Sequence, residues 1–225
     1  MKSGICYLIG AGAHYDNIIP RPDSDDYIIA VDGGYDYCLS HNIVPDIIMG
    51  DFDSSENEMG DIHIPVKSFP PEKDYTDMAL AAKEAIITGC DTILIYGGTG
   101  GRPDHTLANI QLLSNLSDKG IHAYMYDKEY IYTAITNGRL LINNNFPSKH
   151  NGFISSGGNA YISVFSLSDI SEHVTIKGLK YEVTDITLTR QHALGTSNEF
   201  MNQPCSIEVG KGSLLILAQV CPLIY

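Results

Sequence analysis

The chain has no tryptophan, few cysteines, a shortage of positive charge and no long apolar run. Its five cysteines, Cys6, Cys38, Cys90, Cys205 and Cys221, are scattered, odd in number and form no Cys-x-x-Cys pair. They read as reduced core residues rather than as disulfides or zinc ligands. With 14 Lys and Arg against 27 Asp and Glu, the formal net charge is −13. That argues against sequence-independent nucleic-acid binding, which needs basic patches to displace counterions. A nucleotide substrate is still compatible, because a divalent cation can carry positive charge locally. No apolar run approaches the ~20 residues that span a bilayer. The opening stretch Met1–Gly10 is too short in its apolar part, and too poor in cleavage signals, for a secretory leader. A soluble, cytoplasmic protein is expected.

What is present is an ordinary globular composition, 44% hydrophobic and 18% charged over 225 residues. That is enough for one large domain or two small ones. The first half alternates short apolar runs with amphipathic stretches, the pattern of an α/β layout with a mainly parallel sheet. Strands are predicted at Ile5–Ile9, Tyr27–Val31, Ile47–Met49, Thr92–Tyr96 and His122–Tyr126, and helices at Gly33–His41, Asp74–Thr88 and Pro103–Leu116. Beyond about Glu129 the runs become short and β-branched, with turns between them, which suggests a small antiparallel sandwich or barrel. The expected fold is therefore a Rossmann-like α/β domain over 1–128, followed by an antiparallel β-sandwich over 129–225.

The chain is organised around Met49-Gly50-Asp51-Phe52-Asp53-Ser54-Ser55. In extended backbone alternate side chains share a face, so Asp51 and Asp53 can point at one object. Two ionised carboxylates drawn to ~4 Å repel by roughly 4 kcal/mol at an effective dielectric of 20. A hard cation such as Mg²⁺, shared between carboxylates and phosphate oxygens, relieves that cost. Asp32-Gly33-Gly34 follows the second strand, at the carboxyl edge where ligands gather in open α/β sheets. Asp32 can cap the next helix, join the same cleft, or do both. In Lys73-Asp74-Tyr75-Thr76-Asp77, Asp74 or Thr76 suits the helix cap. The surplus acid then suggests a further metal ligand.

Gly97-Gly98-Thr99-Gly100-Gly101-Arg102-Pro103-Asp104-His105 sits between a strand and a helix whose Pro103 fits the first helical position. Glycines let backbone N–H groups approach a ligand, the helix start favours an anion, and Arg102 offers a fork matched to phosphate. No Gly-Lys-Ser/Thr follows, so this is not a Walker loop. His105 reads as a supporting histidine rather than a general base. Gly10-Ala11-Gly12-Ala13-His14-Tyr15 starts like a dinucleotide fingerprint, but Tyr15 holds its third glycine position and the stretch reads as a strand-end turn. Gly195–Glu199 taken alone reads as a turn between strands.

Taken in order, Asp32-Gly33-Gly34, Gly50–Ser54, Lys73–Asp77, Gly100–His105 with Asn109, Gly178–Tyr181 and Thr196–Glu199 resemble the thiamine pyrophosphokinases over most of the chain. The resemblance implies an α/β nucleotide domain, a β-sandwich and a homodimer with active sites at the subunit interface. It also implies transfer of the β,γ-pyrophosphoryl group of ATP to the thiamine hydroxyl, giving thiamine diphosphate and AMP. Asp51, Asp53 and Asp77 are then similar to the family's Mg²⁺-binding acids and, with Arg102, to its catalytic residues. Asp32, Gly33, Lys73, Asp74, Gly98, Gly101, Arg102, Asp104 and His105 would meet ATP, while Tyr181, Thr196, Ser197 and Asn198 would meet thiamine. Asp77 or Asp104 is a candidate to accept the hydroxyl proton. With no Trp in the chain, stacking on a thiamine ring falls to Tyr, Phe or His. No nucleic-acid or membrane partner is implied.

Two rivals explain less. A nucleotide-sugar glycosyltransferase accounts for Asp51 and Asp53 but not for the Gly-Gly-Arg-x-Asp-His loop. A non-enzymatic, metal-dependent ligand-binding module built on the β half is opposed by the concentration of the acids in the α/β half.

Overall fold

The computed structural model describes residues 4–50, 64–69, 74–143, 160–201 and 203–219. It divides into two compact units, one of residues 1–13 and 22–109 and the other of 14–21 and 110–225.

The first unit contains β1 (Ile5–Ile9), β2 (Tyr27–Val31), α1 (Gly34–Ser40), β3 (Ile47–Gly50), β4 (Val66–Ser68), α2 (Asp77–Ile87), β5 (Thr92–Tyr96) and the start of α3 (Pro103–Asp118). Its strands run β5-β1-β2-β3-β4 and pair in parallel throughout. Cys6, Tyr7, Leu8 and Ile9 on β1 are completely buried, as are Ile93, Leu94 and Ile95 on β5. This explains why these strands read as continuous apolar runs rather than alternating ones: a parallel strand is covered on both faces. Four of the first-half strands appear with the predicted bounds or one residue longer, and β6 (His122–Tyr126) also matches. β4 went unpredicted, because its three residues are all exposed and carry no apolar pattern.

Helix α2 begins at Asp77 rather than at Asp74. Thr76 is its N-cap, with Oγ1 accepting from the amide of Ala79 at 3.2 Å, and an N-cap residue lies outside the helical dihedrals. The helix buries Met78, Ala81, Ala82 and Ala85, one apolar stripe at helical spacing. At α1 the N-cap is Gly33 and no side chain caps it, so Asp32 is not the helix cap. A Cβ on Gly34 would collide with the carbonyl of Ile9, which ties the α1 start closely to the end of β1.

The second unit is antiparallel. One set of strands runs β6-β7-β14-β9-β12 and the other β11-β10-β13-β8, with β7 Tyr130–Thr136, β8 Arg139–Ile142, β9 Tyr161–Ser166, β10 Ile170–Lys177, β11 Val183–Thr189, β12 Gly195–Glu199, β13 Cys205–Glu208 and β14 Ser213–Gln219. β12 corrects the sequence expectation of a turn at Gly195–Glu199. Its residues are small and polar and only Asn198 is buried, so it lacks the alternation by which strands are recognised. Its pairing with β9 breaks register between Gly195 and Asn198, and Ser197 there has φ 57°, as in a bulge that re-aims side chains.

Of the five cysteines, Cys6, Cys38, Cys90 and Cys205 are buried and free of disulfides; Cys221 lies outside the described residues. No helix among them is long and apolar enough to cross a membrane.

Asp26 secures the start of the sheet. It is 4% exposed; Oδ1 accepts the amide of Ile5 at 2.9 Å and Oδ2 that of Asp23 at 2.8 Å. Asp26→Ala is expected to lower unfolding free energy by about 3 kcal/mol, since two partly buried donors lose a charged acceptor. Urea unfolding of the variant against the parent measures this.

Candidate active site

A cavity of about 340 Å³ opens at the carboxyl ends of the parallel strands. Four segments line it: Gly10–Gly12 after β1, Val31–Asp32 after β2, Thr76–Met78 at the start of α2, and Gly97–Arg102 after β5 with His105, Thr106 and Asn109 of α3. Ligands of open α/β sheets collect at this edge, and the size falls at the small end of ligand pockets.

The two glycine-bearing loops are locked together. The amide of Gly12 donates to the carbonyl of Gly97 at 2.9 Å, Ala13 to Thr99 at 2.8 Å, and Gly10 to Tyr96 at 2.8 Å. A Cβ on Gly12 would collide with the carbonyl oxygens of both Thr99 and Gly97, so only glycine permits this approach. The resemblance of Gly10–Tyr15 to a dinucleotide fingerprint therefore has a different physical basis. The amides of Gly12 and Ala13 are committed to neighbouring carbonyls rather than to a pyrophosphate. Asn109 adds a third fastening from α3: it is 6% exposed, and its Nδ2 donates to the carbonyl of Gly98 at 2.7 Å. Among the described residues, the amides of Gly98, Thr99, Gly100 and Gly101 meet no backbone acceptor. The loop thus carries a run of available donors at the N-terminal end of a 16-residue helix, an arrangement suited to anions.

Arg102 and Asp104 form a two-pronged pair on the surface. Nε donates to Oδ1 at 3.1 Å and Nη2 to Oδ2 at 2.6 Å. The Arg102 fork holds the Asp104 carboxyl below its ordinary range, assisted by the amide of His105. Arg102 keeps further N–H donors, since this geometry engages only two of its five.

Of the predicted catalytic and nucleotide residues, Asp32, Asp77, Gly98, Gly101, Arg102 and His105 line the cavity. Gly33, Asp74 and Asp104 are exposed and are not among its lining residues. Asp51, Asp53 and Lys73 lie outside the described residues. Asp32 has φ 51°, and its Oδ1 packs against Gly50 so closely that a Cβ there would strike it; its carboxylate stands beside the residue that precedes Asp51. Among the described residues no three His, Cys, Asp or Glu side chains cluster. The acids that do reach the cavity, Asp32 and Asp77, offer oxygen only, which is the donor chemistry of a hard cation. Thr99, Asn109, Gly10 and Gly12 were not predicted as site residues. They stand in stretches the sequence singles out, but their roles depend on contacts between distant segments.

In the second unit, Tyr181 is 58% exposed and Asn198 5% exposed. Asn198 Oδ1 accepts the amides of Tyr181 and Glu199, both at 2.9 Å, and its Nδ2 donates to the Tyr181 carbonyl at 2.7 Å. The side-chain amide is thus engaged at both ends in fixing the Tyr181 backbone. Lys180 pairs with Glu199 at 2.6 Å, closing the same corner. Thr196 and Ser197 are exposed on β12, Thr196 Oγ1 donating to the carbonyl of Ala193 at 2.8 Å and the Ser197 amide to Ser163 Oγ at 3.0 Å.

Family models described as the catalytic domain and the vitamin B1 binding domain of thiamin pyrophosphokinase match residues 22–125 and 149–214. The thiamine pyrophosphokinase of Bacillus subtilis (strain 168) is 31% identical over 209 residues, covering 89% of this chain and 92% of that protein. The chain belongs to the thiamine pyrophosphokinase family. A crystal structure of the Bacillus subtilis thiamine pyrophosphokinase superposes with a TM-score of 0.81 at 28% identity, covering 97% of this chain and all of that one. That of Geobacillus thermodenitrificans thiamin pyrophosphokinase shares the fold, with a TM-score of 0.80 at 24% identity over 99% of this chain and 100% of that one. These matches do not favour the glycosyltransferase or the non-enzymatic reading.

Two outcomes follow from this geometry. Asp104 is expected to titrate below the ordinary Asp value of about 3.9, staying ionised as pH falls through that range. Arg102→Ala should move its midpoint upward, which carboxyl NMR across the acid range measures. Asn198→Ala should cost about 2–3 kcal/mol, because three partly buried backbone groups lose their partner. Amide hydrogen exchange at Tyr181 should accelerate in the same variant.

Proposed function

We propose that this chain is a thiamine pyrophosphokinase, moving the β,γ-pyrophosphoryl group of ATP to the hydroxyl of thiamine and releasing AMP. The observation that carries the reading is the cavity at the strand ends. It combines available loop amides, Arg102 and the carboxylates of Asp32 and Asp77 in a chain of this family. We assign residues 1–128 to a Rossmann-like nucleotide domain and 129–225 to a thiamine-binding β-sandwich. The matches of the catalytic and vitamin B1 binding models to separate stretches support that division.

Transfer of this kind asks for positioning and charge neutralisation more than covalent chemistry from the protein. The Gly98–Gly101 amides and the helix start bind phosphate oxygens, and Arg102 joins them with its remaining donors; Gly33, Lys73, Asp74, Asp104 and His105 complete the nucleotide contacts. Asp51, Asp53 and Asp77 would hold Mg²⁺, which would supply charge neutralisation for the phosphate oxygens. Tyr181, Thr196 and Ser197 present a surface to thiamine, with Asn198 holding Tyr181 in place. The hydroxyl proton passes to a carboxylate. Asp77, on the cavity wall at the start of α2, and Asp104, engaged by Arg102, are the two candidates. We assign the working state to a cytoplasmic homodimer; the buried, disulfide-free cysteines suit a reducing compartment.

The test incubates the protein with ATP, Mg²⁺ and thiamine and identifies the products. AMP with thiamine diphosphate is expected, with turnover lowered at least ~100-fold in Asp77→Asn. ADP with thiamine monophosphate would move the attack to the γ-phosphorus, and no thiamine product would overturn the assignment. Full turnover by Asp77→Asn at saturating Mg²⁺ would remove Asp77 from its role.

A further inference from the structure

Thr99 lines the cavity, and its hydroxyl has no part in holding the loops together. It sits between Gly98 and Gly100, and it is 3% exposed. Its Oγ1 is buried and meets no hydrogen-bond partner among the described residues. Its backbone is already committed, the carbonyl accepting the amide of Ala13 at 2.8 Å, so the residue cannot turn to solvent without unlocking the two loops. A β-branched side chain on a fixed backbone has few rotamers to choose from. A buried hydroxyl without a partner costs free energy, and valine would fill the same volume without that cost. A ligand entering the cavity would offset that cost.

We propose that Thr99 Oγ1 donates a hydrogen bond to the phosphate chain of the bound nucleotide, acting as a binding and positioning residue beside the loop amides. The choice of phosphate follows from the neighbours. The residues on either side present unengaged N–H groups, the helix start lies at the same end, and Arg102 lines the same wall. All of these favour an anion. The hydroxyl adds a donor that can rotate onto an oxygen, where the backbone amides are fixed. This inference rests on reading the cavity as a nucleotide site.

The experiment compares the full chain with Thr99→Val and Thr99→Ser by calorimetric titration of ATP with Mg²⁺, titration of adenosine, and a thermal melt without ligand. Thr99→Val should weaken ATP about tenfold, the size of one hydrogen bond to a charged acceptor. Adenosine, which lacks the phosphates, should be unaffected, and the ligand-free melting temperature should be equal or higher because an unpaired buried hydroxyl is gone. Thr99→Ser should restore most of the ATP affinity. Unchanged ATP affinity in Thr99→Val overturns the proposal while leaving the site in place. A loss shared by adenosine, or accompanied by a lowered melting temperature, overturns it as well, because the effect then lies in the nucleoside or in the fold. If the parent chain binds no ATP at all, the nucleotide reading fails and takes this inference with it.

Discussion

Two backbone hydrogen bonds, from Gly12 to Gly97 and from Ala13 to Thr99, hold the rest of the site in register. They join the loop after β1 to the loop after β5 at the adjacent ends of two paired strands. The bonds are possible only because Gly12 has no side chain to strike the opposing carbonyls. With the first loop's amides committed in this way, the second loop's amides are the ones left without a backbone acceptor among the described residues. Asn109 draws Gly98 toward α3 at the same time, so the loop is held from both sides while its donors stay available. Such preorganisation spares a ligand the cost of ordering the loop.

The same device recurs elsewhere in the chain. Several buried or capping polar side chains are spent on backbone: Asp26 on Ile5 and Asp23, Asp46 on Ile28, Thr76 on Ala79, Asn198 on Tyr181 and Glu199. Each fixes the start or bend of an element. Most polar side chains of a folded protein that are buried are satisfied in this manner. Thr99 departs from the pattern, and its departure falls on the wall of the cavity.

Much of the layout was legible from local pattern. The buried strands β1, β2 and β5 announce themselves as short β-branched runs between turn residues, and Pro103 marks the start of α3. What escaped had physical reasons. β4 is too short and too exposed to show a period, and β12 is polar, bulged and recognisable only by its pairing with β9. The start of α2 was placed early because Asp74 and Thr76 are both good caps, and the choice between them is made by the backbone at Thr76. In the site, Arg102, Asp77 and the glycine loop could be found from residue type and spacing. Thr99, Asn109 and Gly12 could not, because their roles exist only once segments far apart in sequence meet.

The interlocked loops also constrain how this site can change over time. A side chain added at Gly12 displaces the carbonyls of Gly97 and Thr99, and a shift at Thr99 releases Ala13. Substitutions in the two loops therefore do not contribute independently, as expected of residues sharing contacts. A variant tolerated in one loop depends on what the other carries. The two loops form a single unit for substitution, although more than eighty residues separate its halves along the chain.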